Sequence, residues 1–112
     1  HDCGDQVLIQ MAKLLGLNIR ESDHLGRYGG EEFIVIFENT SIESAQNILE
    51  RCRRAIEQYQ FAYDTHMIHF TASFGLTQGV LDQTDHQQLM LAADQALYRA
   101  KETGRNKICI AD

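Results

Sequence analysis

A chain of 112 residues, 44% hydrophobic and 23% charged, has enough apolar material for one globular core and not enough length for two. Its formal net charge of -6 argues against broad nucleic-acid binding and against attraction to an anionic membrane surface; a small phosphate ligand held by a metal ion and a few cations stays allowed. No apolar run approaches the length of a membrane-spanning helix, and Cys3, Cys52 and Cys109 form no CxxC or Cys/His pattern, so reduced buried thiols in a cytoplasmic domain are expected.

Taken in order, Val7, Leu8, Met11, Leu14 and Leu15 follow helical spacing and predict a first helix that stops near Gly16. Asp5 falls in its first turn, where the helix dipole and unpaired N–H groups favour an acid whatever the protein does. Arg20 and Asp23 follow, an Arg-x-x-Asp whose plainest reading is a local surface ion pair. Residues 25–27 and the apolar run 33–37 predict two paired strands. Between them lies Arg27-Tyr28-Gly29-Gly30-Glu31-Glu32-Phe33, in which two glycines lead straight into two acids. Glycine turns the backbone tightly and lets it approach a phosphate; acids at such a tip suit a hard divalent cation that keeps several water or phosphate oxygens.

Thr40-Ser41-Ile42-Glu43 reads as a capping box opening a second helix. Ile42, Ala45, Ile48, Leu49, Cys52, Ala55, Ile56 and Tyr59 make its apolar stripe, while Arg51, Arg53 and Arg54 lie off it on a solvated face. From His66 to Leu76 apolar residues alternate, with Ile68, Phe70, Ala72, Phe74 and Leu76 on one face and Met67, His69, Thr71, Ser73 and Gly75 on the other, which predicts one half-buried strand. His66, His69 and His86 share no face and receive no catalytic role. A last helix is expected to begin near Thr84, with Gln87 completing a capping box, and to end at Gly104; Leu89, Ala93, Ala96, Leu97 and Ala100 form its buried face. Lys101 and Arg105 suit the negative end of that helix dipole, Asp94 reads as a structural hydrogen-bonding residue, and 107–110 closes the chain as a strand.

Four segments, in order, resemble the GGDEF family of diguanylate cyclases. Gly29-Gly30-Glu31-Glu32-Phe33 is similar to the signature itself, with Glu at its third position; His1-Asp2-Cys3-Gly4-Asp5 is similar to the family's His-x-x-Gly-Asp. Arg20-Glu21-Ser22-Asp23 stands at the family's spacing before the signature, and Ala93-Asp94-Gln95-Ala96-Leu97-Tyr98-Arg99-Ala100-Lys101 with Gly104-Arg105-Asn106 resembles its closing motif. The resemblance implies an α+β fold, the ferredoxin-like palm of nucleotidyl cyclases, with a mainly antiparallel sheet flanked by helices. Its first strand, with a metal-binding Asp and a guanine-reading Asn, would precede His1, so residues 1–112 are expected to be an N-terminally truncated GGDEF domain that is inactive alone.

By the same resemblance two GTP molecules are condensed to cyclic di-GMP and pyrophosphate, with Mg²⁺ or Mn²⁺ as cofactor. Glu31 is implied as the metal ligand with Glu32 assisting, Gly29 and Gly30 as the backbone approach to the phosphates, Asp5 as a guanine contact, and Lys101 and Arg105 as partners of the terminal phosphates. Arg20 and Asp23, joined by Arg51, correspond to a product-binding inhibitory site, where Arg can fork onto the guanine O6/N7 edge and a carboxylate can accept from N1–H and N2–H. Each domain holds one GTP, which implies a homodimer meeting through its catalytic faces. A sensory or regulatory domain is expected upstream, in a cytoplasmic protein or the cytoplasmic part of a membrane-bound one. Neither nucleic acid nor membrane is an expected partner of this domain. Two other classes are distinguishable: a receptor that binds GTP or cyclic di-GMP without turnover, and a palm that only packs or dimerises.

Overall fold

A computed structural model describes residues 2–29, 32–80 and 85–112, and beyond the backbone nothing is described for Asp2 and Cys3. Among the described residues the elements run α1 (Asp2–Asn18), β1 (His24–Arg27), β2 (Phe33–Ile36), α2 (Ile42–Gln58), β3 (Phe61–Tyr63), β4 (His66–Ile68), β5 (Phe74–Leu76), α3 (His86–Glu102) and β6 (Ile108–Ile110). β1 and β2 pair antiparallel, as do β3 and β4, whereas β5 and β6 pair parallel with α3 as the crossover that a parallel pair requires. This is the expected α+β fold.

Two apolar clusters share one residue. Leu15 of α1 packs with Cys52 and Ile56 of α2, against Met11, Leu14, Ile19, Leu25, Phe33, Ala72 and Phe74. Ala45 and Leu49 of α2 pack with Leu76, against Phe37, Ile42, Phe74 and Ile108. Phe74 belongs to both, so β5 ties the two halves of the core together. Successive strand residues face opposite ways. Leu76 therefore meets α2, and Gly75 meets α3 so closely that a Cβ there would lie 2.1 Å from the Ala93 carbonyl oxygen and 2.4 Å from the Leu97 amide nitrogen. Ala96 and Ala100, both fully buried, keep α3 slim on that side. Close packing at Gly75 is what fixes the position of α3, and with it Lys101.

Several boundaries differ from the sequence expectations. Gly16 does not stop α1: the helix continues to Asn18, whose Nδ2 donates to the Leu14 carbonyl at 2.7 Å, while the Ile19 amide donates to the Leu15 carbonyl at 3.1 Å. A side-chain cap and one further backbone bond outweigh the modest cost of an interior glycine. The cap of α2 is Ser41, which accepts from the Ser44 amide at 3.1 Å, and not Thr40 with Glu43; Thr40 instead donates to the Glu38 carbonyl at 2.8 Å and accepts from Arg20. Tyr59 falls off the α2 stripe and is 38% exposed.

The single strand expected over 66–76 is two strands, because β4 turns back on β3 rather than running on into β5. The missed hairpin turns at Asp64, whose φ of 57° is tolerated by its short polar side chain, and Phe61, 3% exposed, anchors it between the rings of Tyr59 and Phe70. Gly75, assigned to the polar face of that strand, is covered by α3. Thr84, the expected start of the last helix, lies outside the described residues. Asp85 is the N-cap of α3, accepting from the Gln87 amide at 2.9 Å, and Asp94 lies on the exposed side of α3. Cys52 is fully buried, which pushes its thiol up to about 11; Cys109 is half-buried, and both are free thiols.

Candidate active site

The register of β1 and β2 runs from His24 opposite Ile36 to Arg27 opposite Phe33, and the Tyr28 amide adds one more bond to the Glu32 carbonyl at 2.8 Å. Backbone hydrogen bonds thereby hold the described ends of the loop together. Gly29 has φ 124°, a conformation that residues with a Cβ rarely adopt. Gly30 and Glu31 lie outside the described residues.

At the hairpin mouth the Glu32 carboxylate approaches the Lys101 ammonium, with Oε2 and Nζ 4.0 Å apart and both side chains about 40% exposed (43% and 39%). Lys101 sits in the last turn of α3, where its charge also complements the helix dipole. Residues sixty-nine positions apart in sequence are thus neighbours. An exposed pair at this distance adds little stability, so its interest is the charge it offers a ligand.

α3 ends in a Schellman motif: the Arg105 amide donates to the Ala100 carbonyl at 2.8 Å, with Gly104 at φ 121° as the left-handed residue. The chain does not leave the left-handed region there. Arg105 and Asn106 follow at φ 63° and 50°, and left-handed backbone costs roughly 1–2 kcal/mol for a residue with a Cβ. Something must hold them. The Asn106 amide donates to Ser73 Oγ at 3.1 Å, its Nδ2 donates to Glu57 Oε2 at 2.6 Å, and its Oδ1 accepts from Arg53 Nη1 at 2.9 Å. Arg53 also forks onto Glu50, Nε to Oε1 at 2.8 Å and Nη2 to Oε2 at 2.7 Å, and reaches Glu57 Oε1 at 3.3 Å.

Arg53 was expected on a solvated face and is instead 16% exposed, tying α2 to the loop that carries Arg105. Its hydrogen bonds, assisted by Arg54, hold the Glu50 carboxyl down at about 2. Neither Arg53 nor Asn106 was assigned a role from sequence, although Asn two residues after a helix-ending Gly is a recognisable signal, because Asn tolerates left-handed backbone better than most residues.

The other expected site residues fall elsewhere. Asp5 is exposed near the start of α1, and no described hydrogen bond or ion pair joins it to the hairpin. Arg20 and Asp23 form a tight unit: the Asp23 side chain is fully buried and accepts from the Arg20 amide at 2.8 Å, from Nε at 3.2 Å and from Nη2 at 2.9 Å. Those bonds from Arg20 hold the Asp23 carboxyl below its usual range. The pair is therefore not a loose surface contact. Arg51 donates to the Asn18 carbonyl at the end of α1, which brings it to the turn that Arg20 and Asp23 close. Asp23 and Gly29 bracket β1, four residues or about 13 Å at a strand's rise, so the Arg20/Asp23/Arg51 group and the hairpin mouth are distinct places.

Among the described residues no three His, Cys, Asp or Glu side chains converge as metal ligands. Among the described residues Glu32 is the carboxylate that stands at the hairpin. Its chemistry suits a cation such as Mg²⁺, which takes one or two carboxylates and fills the rest of its shell with water and phosphate.

The family model described as "Diguanylate cyclase, GGDEF domain" matches residues 1–107. This chain belongs to the GGDEF family. It is 40% identical over 111 residues to a diguanylate cyclase of Vibrio cholerae, covering 98% of this chain and 34% of that protein. The fold is similar to diguanylate cyclase SiaD of Pseudomonas aeruginosa, solved in complex with its activator SiaC, with a TM-score of 0.94 and 36% identity over 99% of this chain and 42% of that one. It is also similar to the active GGEEF domain of a diguanylate cyclase from Vibrio cholerae, with a TM-score of 0.86 and 37% identity over all of this chain and 70% of that one. This GGDEF chain spans between 16% and 34% of the length of the curated relatives it matches.

Proposed function

We propose that this chain is the larger, C-terminal part of a catalytic GGDEF domain whose parent polypeptide condenses two GTP molecules into cyclic di-GMP, releasing pyrophosphate. The observation that carries the reading is the meeting of Glu32 and Lys101 at the mouth of the hairpin, an acid and a cation from separate parts of the chain. In this reading the 3′-hydroxyl of one GTP attacks the α-phosphate of the other, and a second such step closes the ring. Little covalent work falls to the protein; placement and charge neutralisation dominate.

Lys101 and Arg105 bind the terminal phosphates, where charge builds as pyrophosphate leaves. Gly29 and Gly30 let the backbone come close to the same phosphates, and Asp5 accepts hydrogen bonds from the guanine base. Glu31 would hold a divalent cation, with Glu32 beside it; Mg²⁺ or Mn²⁺, when bound, supplies neutralisation of the phosphate oxygens. Each domain contributes one GTP, so the working unit is a homodimer joined through its catalytic faces. Arg20, Asp23 and Arg51 form a product-binding inhibitory site, with Arg20 offering a guanidinium that is 43% exposed. We place the domain in the cytoplasm; among the described residues no helix is long and apolar enough to cross a membrane.

Lys101→Ala tests the phosphate assignment in the parent polypeptide. Loss of one charge-assisted contact, roughly 1.5–3 kcal/mol, raises the KM for GTP by about tenfold or more. An unchanged KM removes Lys101 from the site.

A further inference from the structure

Three consecutive left-handed residues, Gly104, Arg105 and Asn106, carry Arg105 out of the end of α3. Glycine explains the first alone. A short turn that keeps two residues with a Cβ in this region is held from outside, and such strain concentrates where a side chain must be aimed. Side chains from α2 and from the residue just before β5 hold this turn: both ends of the Asn106 carboxamide are engaged, Oδ1 by Arg53 and Nδ2 by Glu57, and its amide donates to Ser73 Oγ. Arg53 is itself fixed by both oxygens of Glu50 and one of Glu57, so the clamp is braced on α2 rather than floppy.

We propose that Arg53 is a positioning residue, which through the clamped Asn106 carboxamide sets the backbone of the 104–106 turn and so aims the Arg105 side chain at the terminal phosphates of the nucleotide. The inference rests on the reading of Arg105 as a phosphate ligand. Arg53 does not touch the substrate. It acts on a different element from the one that carries Lys101, so its effect is confined to the Arg105 contribution.

The test is equilibrium binding to the parent polypeptide, with Mg²⁺, of a GTP analogue whose α,β-bridge cannot be cleaved, and of GMP, which lacks the terminal phosphates. Arg53→Ala weakens the analogue about tenfold, the order expected for one charge-assisted contact, and changes GMP less than twofold. Asn106→Gly does the same. Glycine adopts the left-handed turn freely, so this variant removes the clamp without forbidding the conformation, and it decides the matter should Arg53→Ala fail to fold. The Arg53→Ala, Arg105→Ala double variant binds no more weakly than Arg105→Ala, because the two losses are one loss. The proposal is overturned if Asn106→Gly binds the analogue normally, if analogue and GMP weaken alike, or if the losses of the double variant add. Should Arg105→Ala itself leave analogue binding unchanged, the phosphate-ligand reading fails, and the positioning role falls with it.

Discussion

Gly75→Ala probes the contact that places α3. The added Cβ would lie 2.1 Å from the Ala93 carbonyl oxygen and 2.4 Å from the Leu97 amide nitrogen, and both are backbone atoms with no rotamer to escape into. To widen 2.1 Å to an ordinary 3.4 Å the helix must retreat by about 1.3 Å along that contact. A gap of that size forfeits much of the dispersion between α3 and β5, and it loosens Ala96 and Ala100, which are fully buried. Overpacking costs roughly 1–3 kcal/mol where side chains can adjust, and here only the helix can, so about 3 kcal/mol or more is expected. For a domain of this size that is a fall in Tm of about 15 °C. Urea unfolding of the parent polypeptide, followed by a probe in this domain, reads the loss as a lower midpoint at unchanged slope. A loss below about 1 kcal/mol would refute the close packing of Gly75 on α3.

Three further outcomes follow from the same structure. Ser41→Ala removes the side-chain acceptor of the Ser44 amide and costs about 1 kcal/mol, measurable by the same unfolding curve; Thr40→Ala does not remove a cap. Arg20→Ala leaves synthesis running and relieves inhibition by added cyclic di-GMP, whereas unchanged inhibition would remove Arg20 from a product site. The pH dependence of stability follows from Asp23 and Glu50, whose carboxyls are both depressed by arginine hydrogen bonds: their contribution is present above their ordinary values of 3.8 and 4.5 and is lost as pH falls through the folded values, about 2 for Glu50. Arg20→Ala and Arg53→Ala therefore lower stability at pH 7 and flatten its decline below pH 4.5, and curves parallel to the unsubstituted protein would contradict the pairing.

Where the sequence was legible, one local physical rule carried the signal. The α2 stripe from Ala45 to Ile56 is a helical period, and the end of α3 at Gly104 is a left-handed glycine; both stand in the structure as read. What was not legible depends on distant partners. Alternation over 66–76 is equally compatible with one long strand and with two strands that never pair with each other, and only the pairing of β4 with β3 decides. Gly16 looks like a stop until Asn18 is seen bonding back to Leu14. Gly75 carries no local sign that α3 will lie on it.

The candidate site divides in the same way. Glu32 and Lys101 were each assigned from a motif, and their meeting is a matter of the fold. Asp23 looked like an ordinary surface acid beside an arginine, yet it is buried, because β1 starts immediately after it and the turn folds inward. Arg53 reads as solvated because its position lies off the apolar stripe of α2. Its partners Glu57 and Asn106 lie 4 and 53 positions away, and the second is reached only through the turn after α3.

The most direct test of the catalytic reading is product analysis after incubating the longest natural polypeptide that contains this domain with Mg²⁺ and GTP, beside its Glu31→Ala variant. Cyclic di-GMP and pyrophosphate appearing with the unsubstituted protein alone is the predicted result, and it assigns the essential carboxylate to the hairpin. GTP recovered unchanged from the unsubstituted protein, under conditions where it dimerises, would contradict the catalytic reading and turn the domain into a nucleotide receptor; equal turnover by the variant would take Glu31 out of the metal site.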